Sequence, residues 1–222
     1  MDKDKNYLKL KKFCLDQTID LFGVADISSA KKDFLLSQEL LKSFDKAVCL
    51  GVGLSRGILE EISCAPTKLY FHHYRTVNAF LDQAALKACN YIQKQGYLGL
   101  PIPASQILDW QNQQAHLSHK KLGVLAGLGW IGRNNLLVNE RFGSQFRIVS
   151  VLTNMPLKPD KPIKKDCKAC RLCVTTCPAG AIKDSPTDFD HMKCFEKLKE
   201  FQRLRLADQY ICGVCVKACK GH

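Results

Sequence analysis

Eight cysteines in the last third of the chain have the spacing of a metal-binding site. The chain of 222 residues has twelve cysteines, and the densest run is Cys167-x2-Cys170-x2-Cys173-x3-Cys177-Pro178. This is the bacterial ferredoxin spacing, in which three close thiolates bind one 4Fe-4S cluster and the fourth binds another. A structural zinc site needs only two cysteine pairs, which would leave four cysteines and the proline unexplained. The run therefore predicts iron–sulfur clusters rather than zinc.

A second run supplies the other half of the pattern. Cys212-x2-Cys215-x3-Cys219 matches the last three positions of the first run, and Cys194 is the upstream cysteine that can supply the missing position. Residues 195–211 form an insertion that looks helical. In two-cluster ferredoxins each cluster takes ligands from both runs, so we predict two groups of ligands, one for each cluster. The first group is Cys167, Cys170, Cys173 and Cys219, and the second group is Cys177, Cys194, Cys212 and Cys215.

Composition constrains where such a protein works. The other cysteines, Cys14, Cys49, Cys64 and Cys89, are scattered among apolar residues and are predicted to be packing thiols. The sequence shows no run of about 18 apolar residues and no apolar stretch typical of a signal peptide. A cytoplasmic protein with reduced thiols and no membrane contact is therefore predicted.

The charge of the chain is strongly basic. The formal net charge is +12, and two thiolate-bound clusters would lower it to roughly +8. The remaining excess is compatible with an acidic protein partner or a nucleic acid, and equally with a solvated lysine-rich surface.

Apolar patterns predict a mixed helix and strand fold. One helix is expected from Asn6 to Phe22, ending at Gly23, and a longer one carries an apolar face from Val77 to Ile92 and ends before Gly96. Strands are predicted at Val24–Ile27, Ala47–Gly53 and Arg147–Thr153, the last one central in its sheet.

A change of composition predicts two domains. Met155 to Lys165 has three prolines and four lysines without an apolar period, which indicates a linker. It separates an α/β domain, residues 1–157, from a cysteine-rich domain, residues 158–222. The small domain has little apolar content, so the clusters are expected to act as its core.

A glycine motif precedes this linker. Gly127-x-Gly129-x-x-Gly132 fits the dinucleotide-binding pattern, but a turn and strand follow where a Rossmann fold needs a helix and an acidic residue. The glycines have two remaining explanations. They form a tight turn between packed elements, or they let the backbone lie against a flat cofactor.

Together the glycine block and the cysteine runs resemble a known family. The segments are His119 to Val138, Gly143-Ser144, Val151 to Leu157 and the two runs. They are similar to the epoxyqueuosine reductases and their short relatives, with a more distant likeness to reductive dehalogenases. The resemblance implies an α+β architecture, with a nitroreductase-like α/β domain followed by a small ferredoxin-like domain with two 4Fe-4S clusters.

The resemblance also implies a cofactor and a chemistry. The clusters would pass single electrons to cobalamin for a reductive reaction, with reduced ferredoxin or flavodoxin as the electron donor. No Asp-x-His-x-x-Gly segment is present, so a protein histidine is not predicted as the lower cobalt ligand. The resemblance places these residues near the corrin: Gly127, Gly129, Trp130, Gly132, Arg133, Asn134, Gly143 and Ser144.

Two departures affect the expected substrate. Members of the family have an Asp-Ser-x-Pro segment that supplies a proton donor. The corresponding stretch here, Pro101 to Ser105, has no acidic residue, and Asp109 is nearby but displaced. The family usually continues into a helical-repeat region that helps hold tRNA, whereas this sequence stops shortly after Cys219. We therefore expect a small-molecule or corrinoid-protein acceptor. Alternatives are an electron-transfer module without its own cobalamin, and tRNA epoxyqueuosine reduction, which these departures disfavour.

No catalytic residue is assigned from the sequence. His116 and His119 flank the glycine block and are candidate proton donors, with surface histidines as the alternative. Tyr70, His72, His73 and Tyr74 form a polar-aromatic group that either lines a pocket or marks a half-exposed helix entrance.

Overall fold

The structure is a computed structural model that describes residues 2–221. Two compact units are present, and both are discontinuous along the chain. The first comprises Met1–Val52, Asn78–Leu128 and Arg147–Ile163, and the second comprises Gly53–Val77, Gly129–Phe146 and Lys164–His222. The predicted division at residues 157 and 158 stays a prediction, and its outermost residues, Met1 and His222, lie outside the described ones.

The helices and strands follow one another in mixed order. In chain order they are α1 (Lys3–Leu15), β1 (Leu21–Asp26), α2 (Gln38–Lys42), β2 (Lys46–Gly53), α3 (Arg56–Glu60), α4 (Lys68–Lys94), β3 (Gly99–Ile102), α5 (His119–Leu125), β4 (Trp130–Ile131), β5 (Leu137–Val138), β6 (Phe146–Thr153), α6 (Leu172–Thr176), α7 (His191–Arg203) and α8 (Val214–Ala218). Short 3-10 turns lie at Lys31–Asp33 and Pro186–Asp188.

A four-stranded sheet has the strand order β1, β2, β6, β3. β1 is antiparallel to β2, with Leu21 opposite Gly51, and β3 is antiparallel to β6, with Gly99 opposite Thr153. The predicted strands over 47–53 and 147–153 are confirmed, and β6 lies inside the sheet as expected. Continuous apolar runs form these strands because both faces of an interior strand are covered.

The long apolar helix is confirmed and is longer than predicted. α4 begins at Lys68 and ends at Lys94, before Gly96. Leu81, Ala88 and Ile92, which share the predicted apolar face, are fully buried.

The first predicted helix is wrong at its end. α1 stops at Leu15, Thr18 takes a positive φ of 62°, and Phe22 already belongs to β1. Gly23 does not follow a helix end. It lies within β1, where a Cβ atom would collide with the carbonyl oxygen of Ala126. This glycine is therefore explained by close packing in the first unit.

The segment from Met155 to Lys165, predicted to be a linker, is packed against the first unit over most of its length. Met155 and Leu157 are buried, and the Asp160 carboxylate accepts hydrogen bonds from the Tyr7 hydroxyl at 3.1 Å and the Val24 N–H at 2.8 Å. Up to Ile163 the segment therefore packs within the first unit. The prediction of an unattached linker is corrected for these residues, because alternating apolar side chains anchor a run whose lysines stay exposed.

In the second unit, the helix predicted in the insertion over residues 195–211 is confirmed up to Arg203, and the rest of the insertion is not helical. α7 is N-capped by Asp190, whose side chain accepts from the Lys193 N–H. It buries Phe195 and Phe201, whereas Leu204 is 60% exposed. Across residues 2–221, none of the helices combines the length and the apolar character needed to cross a bilayer.

Candidate functional site

The first group of cysteines lines one cavity in the second unit. Its volume is about 440 Å³. α6 and α8 pack against each other beside it, and the cysteines lie within or next to these short helices. Sequence positions more than 40 residues apart thus meet at one cavity, which Cys167, Cys170, Cys173 and Cys219 all line.

Electrostatic interactions join the same four thiols. The pKa of Cys173 is raised to about 11, first by burial and then by the neighbouring charges of Cys219, Cys167 and Cys170. Burial likewise raises the pKa of Cys219, and the charge of Cys167 adds to the rise. With raised pKa values the free thiols of Cys173 and Cys219 stay protonated at neutral pH, so metal binding would have to displace their protons.

The second group shows the same pattern of mutual interaction. Burial raises the pKa of Cys194 to about 11 and that of Cys212 to about 12. The pKa of Cys215 is raised well above its usual range, by burial and then by Cys212, Cys194, Cys177 and Cys173. Cys177 thus acts on all three other members of the second group, although it follows the first group in sequence. The ligand assignment itself stays a prediction.

Within residues 2–221, no set of three or more His, Cys, Asp or Glu side chains that could hold a metal ion is found. A tetrahedral zinc site brings its ligand atoms to about 2.0–2.3 Å from one centre. A four-iron cluster binds one thiolate at each of its irons, so its ligands surround a larger volume. The four cysteines of the first group line one cavity and therefore fit the chemistry of the larger group.

Ser144 and Asn134 lie next to Cys219, a member of the first group. The Ser144 N–H donates to the Cys219 carbonyl at 3.1 Å, and interactions with Ser144 and Gly221 oppose the rise that burial causes in the pKa of Cys219. The amide of Asn134 donates to the Ser144 hydroxyl oxygen at 3.0 Å, and both side chains are 3% exposed. Two residues predicted to contact a corrin therefore support a cysteine.

The glycines of the predicted cofactor loop are required by packing inside their own units. A Cβ atom on Gly129 would collide with the Val138 carbonyl, and one on Gly143 with the Cys219 carbonyl. One on Gly132 would come within 2.5 Å of a Val138 methyl group and 3.0 Å of the Asn134 Oδ1. In the first unit, Gly127 has a φ of +66° and faces the Lys161 carbonyl. The tight-turn explanation accounts for these glycines, and their contact with a corrin stays a prediction.

Arg133 holds the loop that carries two ligands of the first group. Its Nη1 donates to the Cys170 carbonyl at 2.8 Å and its Nη2 to the Lys168 carbonyl at 2.7 Å. Its Nε is buried and has no hydrogen-bond partner, and the residue lines the cavity of the first group. Lys217 and Lys220 line the same cavity. Sequence reasoning missed these two lysines, although both are within two residues of Cys219.

A larger cavity adjoins the same ligand loop. Its volume is about 1000 Å³, and it is lined by Trp130, Glu140 and the segment from Lys164 to Cys170. The indole nitrogen of Trp130 is buried without a hydrogen-bond partner, which leaves one donor unsatisfied beside this space.

The candidate proton donors are not set up for that role. His119 is half-buried rather than on the surface. Its Nε2 donates to the Pro103 carbonyl at 2.8 Å, and its Nδ1 accepts from the Ser150 hydroxyl at 2.9 Å. Burial lowers its pKa to about 4, so the ring is neutral and both nitrogens are occupied. His116 contacts the Leu35 carbonyl at 3.4 Å.

Asp109 and the polar-aromatic group around Tyr70 and His73 have structural contacts of their own. The Asp109 carboxylate accepts from the backbone of Gln111 and Asn112 in its own turn. Tyr70 is buried and His73 accepts from the Ser55 N–H, which supports the helix-entrance explanation.

Known proteins with similar sequences include epoxyqueuosine reductases and a reductive dehalogenase. The epoxyqueuosine reductase of Yersinia pestis is 34% identical over 114 residues, which make up 47% of this chain and 28% of that enzyme. The chain is similar to epoxyqueuosine reductases. The resemblance predicted from the glycine block and the cysteine runs is thereby confirmed. The tetrachloroethene reductive dehalogenase of Sulfurospirillum multivorans is 25% identical over 192 residues, covering 79% of this chain and 35% of the dehalogenase. The chain thus spans about a third or less of these relatives.

Solved structures show the same fold. A catabolic reductive dehalogenase in complex with 3-bromo-4-hydroxybenzoic acid has a TM-score of 0.78 at 19% identity, covering 98% of this chain and 32% of the dehalogenase. Epoxyqueuosine reductase from Streptococcus thermophilus has a TM-score of 0.65 at 18% identity, covering 96% of this chain and 65% of that enzyme. No family model matches the chain.

Proposed function

We propose that this chain is an iron–sulfur oxidoreductase in which two 4Fe-4S clusters pass single electrons to a cobalamin-type cofactor for a reductive reaction. The observation that carries the proposal is the cavity lined by all four cysteines of the first group. Four thiols from both cysteine runs meet there, as a crossed two-cluster ferredoxin pattern requires. We also propose that the chain consists of a nitroreductase-like α/β domain followed by a ferredoxin-like domain.

The second cluster has independent support. Cys177, Cys194, Cys212 and Cys215 interact with one another electrostatically, and three of them have raised pKa values. Buried thiols that repel one another when ionised are costly to deprotonate without a cation. Iron would supply that positive charge, and the clusters would supply one-electron transfer.

The cobalamin part rests on the cavity of about 1000 Å³ beside Cys167 and Cys170. Its size is at the upper end of small-molecule sites, which suits a large macrocycle. Trp130 offers a flat apolar side chain and a buried, unpartnered N–H donor at this cavity. Bound there, cobalamin would supply a low-valent metal centre for reduction, and the chain would position it next to a ligand loop.

A matched pair of tryptophan variants tests the cofactor site. Anaerobic protein titrated with cobalamin should show saturable binding by difference spectroscopy. Trp130→Phe removes the indole donor while it keeps an aromatic ring, and it should weaken binding about fivefold, since a hydrogen bond contributes about 1 kcal/mol. The control is Trp110→Phe, the same change at a residue that is 49% exposed, and it should leave the affinity unchanged.

Three outcomes distinguish the hypotheses. Absence of cobalamin binding in the unaltered protein would favour an electron-transfer module that delivers electrons to a partner. Equal weakening by both tryptophan variants would overturn the assignment of cobalamin to this cavity. Loss of affinity only in Trp130→Phe supports the assignment.

Reduction of epoxyqueuosine in tRNA is the second candidate. The name of the Yersinia relative favours it, as does a solved epoxyqueuosine reductase with a tRNA-Tyr stem loop at 17% identity. The net charge of +12 is compatible with a nucleic-acid substrate. Conversion of an epoxyqueuosine-containing stem loop by the reduced protein would establish this activity.

A further inference from the structure

We propose that Arg133 is a positioning residue for the first cluster, which holds the backbone of the ligand loop, residues 166–170, in an iron-binding shape before the cluster is inserted. The inference rests on the proposed function, because it requires a cluster at the first group of cysteines. It names the residue that sets how firmly this cluster is held, and every residue in the argument lies in the second unit.

Arg133 belongs to the tight turn that joins β4 and β5. The Gly132 N–H donates to the Leu136 carbonyl at 2.9 Å, and the Asn135 N–H donates to the Gly132 carbonyl at 2.9 Å. The neighbouring Asn134 is 3% exposed, and its Oδ1 accepts from the Leu136 N–H at 3.3 Å. The backbone that carries Arg133 is therefore fixed by hydrogen bonds of its own turn.

The guanidinium of Arg133 binds two carbonyls of the ligand loop at once. Its Nη1 donates to the Cys170 carbonyl at 2.8 Å, and its Nη2 donates to the Lys168 carbonyl at 2.7 Å. A planar guanidinium has its donors in a fixed fork that can bind both oxygens together, whereas a lysine ammonium is a single point charge. The paired contacts thus tie the loop to the turn between β4 and β5.

The loop has a backbone shape that is unfavourable by itself. Lys168 has a φ of 43°, in the left-handed region that residues with a side chain rarely adopt. Its N–H donates to the Asp166 Oδ1 at 2.7 Å, and the Cys170 N–H donates to the Cys167 carbonyl at 2.9 Å. Such a backbone persists only when its surroundings hold it. Because Lys168 is exposed, the hydrogen bonds from Arg133 carry much of that role.

A loop that is already in shape lowers the cost of binding a cluster. Cys167 and Cys170, on either side of Lys168, supply two of the four predicted ligands, and both line the first group's cavity together with Arg133. When the chain fixes its ligands in advance, no backbone entropy is lost as iron binds. The Arg133 Nε is buried and has no hydrogen-bond partner among residues 2–221, which leaves one donor for an acceptor in this cavity.

The experiment measures how fast each cluster loses iron to an excess of a ferrous chelator, in protein purified without oxygen. Electron paramagnetic resonance of the reduced protein follows the two clusters separately, and Cys177→Ala, which should keep only the first cluster, identifies its signal. Arg133→Met removes both hydrogen bonds and should speed the loss of the first cluster about tenfold or prevent its assembly. The second cluster should be lost at the unaltered rate. Arg133→Lys can form one of the two contacts and should give an intermediate rate.

The matched control is Arg171→Met. Arg171 directly follows Cys170, but its side chain is 56% exposed and pairs with Asp184 at 2.9 Å. The same change at this position should leave the rates of both clusters unchanged.

A second pair of variants tests the backbone part of the inference. In Arg133→Met protein, Lys168→Gly should slow the loss of the first cluster again, because glycine adopts a positive φ without strain. Lys168→Ala removes the same charged side chain but keeps the strain, so it should give no rescue. A residue that served only general stability would not show this difference.

The failure of this inference is distinguishable from failure of the proposed function. Three results would each overturn the inference alone: unchanged rates in Arg133→Met, equal destabilisation of both clusters, or an Arg133→Lys variant that matches the unaltered protein. Equal behaviour of Lys168→Gly and Lys168→Ala would likewise overturn it. Unaltered protein that holds fewer than two clusters would overturn the proposed function as well.

Discussion

Cys177 follows the first three cysteines closely in sequence, yet its charge acts on the pKa values of Cys194, Cys212 and Cys215. The sequence predicts this crossing only by analogy with the ferredoxin spacing. The structure adds a physical reason, because the short helix α6 ends at Thr176 and the extended backbone at Cys177 leads the chain away.

The crossing makes a prediction at this residue. Cys177→Ala should remove about four of the irons and abolish the second cluster, since that cluster would lose one of four ligands. Iron analysis and electron paramagnetic resonance of the reduced protein measure this. Cys64→Ala is the control: this exposed thiol acts on the pKa of Cys212 but is in neither ligand group, so its loss should leave both clusters in place. Loss of the first cluster in Cys177→Ala would show that the pairing is wrong.

Individual side chains also show what sequence reasoning cannot reach. Ser144 and Asn134 were predicted as corrin contacts from resemblance, and their closest partners include Cys219 and each other. No local signal in the sequence indicates that a serine 75 positions before Cys219 will donate its N–H to the Cys219 carbonyl. Such contacts depend on tertiary structure.

At the scale of elements, periodicity decided what could be predicted. α4 and the strands β2 and β6 are long enough for an apolar pattern to appear. α6 and α8 have five residues each, and β4 and β5 have two each, which is too short for a period. These short elements nevertheless carry or border the candidate site, so the site was predictable from cysteine spacing and the elements around it were not.

The β4–β5 hairpin explains why Gly129 must be a glycine. An alanine there should lower the free energy of unfolding by about 2 kcal/mol or more, because its Cβ would meet the Val138 carbonyl. Gly57→Ala is the matched control. This glycine lies in α3 with no atom within 4 Å of an added Cβ, and the change should stabilise the protein by roughly 0.5–1 kcal/mol.

Denaturant unfolding of the two glycine variants measures the difference. Equal stability would mean that the hairpin backbone moves to accept a side chain. It also follows that Gly129→Val is unsuitable as a selective test of cobalamin binding, since any loss of binding would accompany damage to the hairpin.

At the scale of the whole molecule, the resemblance extends along most of the chain. The reductive dehalogenase fold covers 98% of it, although the chain spans 32% of that protein. The predicted mixed α and β fold is confirmed at this level. The discontinuous units were not predictable, because a boundary inferred from composition follows the chain and contacts formed by distant segments do not.

The basic charge of the molecule also has a partial explanation. Arg133, Lys217 and Lys220 surround a site that would hold a negatively charged cluster. Part of the excess positive charge is therefore expected to compensate an internal cofactor rather than to recruit a partner.

The central claim is that eight cysteines hold two four-iron clusters. The most direct test is the quantity of iron, acid-labile sulfide and zinc per chain in protein purified without oxygen, combined with Mössbauer spectroscopy of the iron. The account predicts about eight irons and about eight sulfides, all in four-iron clusters. One or two zinc ions per chain in place of iron, or about four irons in a single cluster, would contradict it.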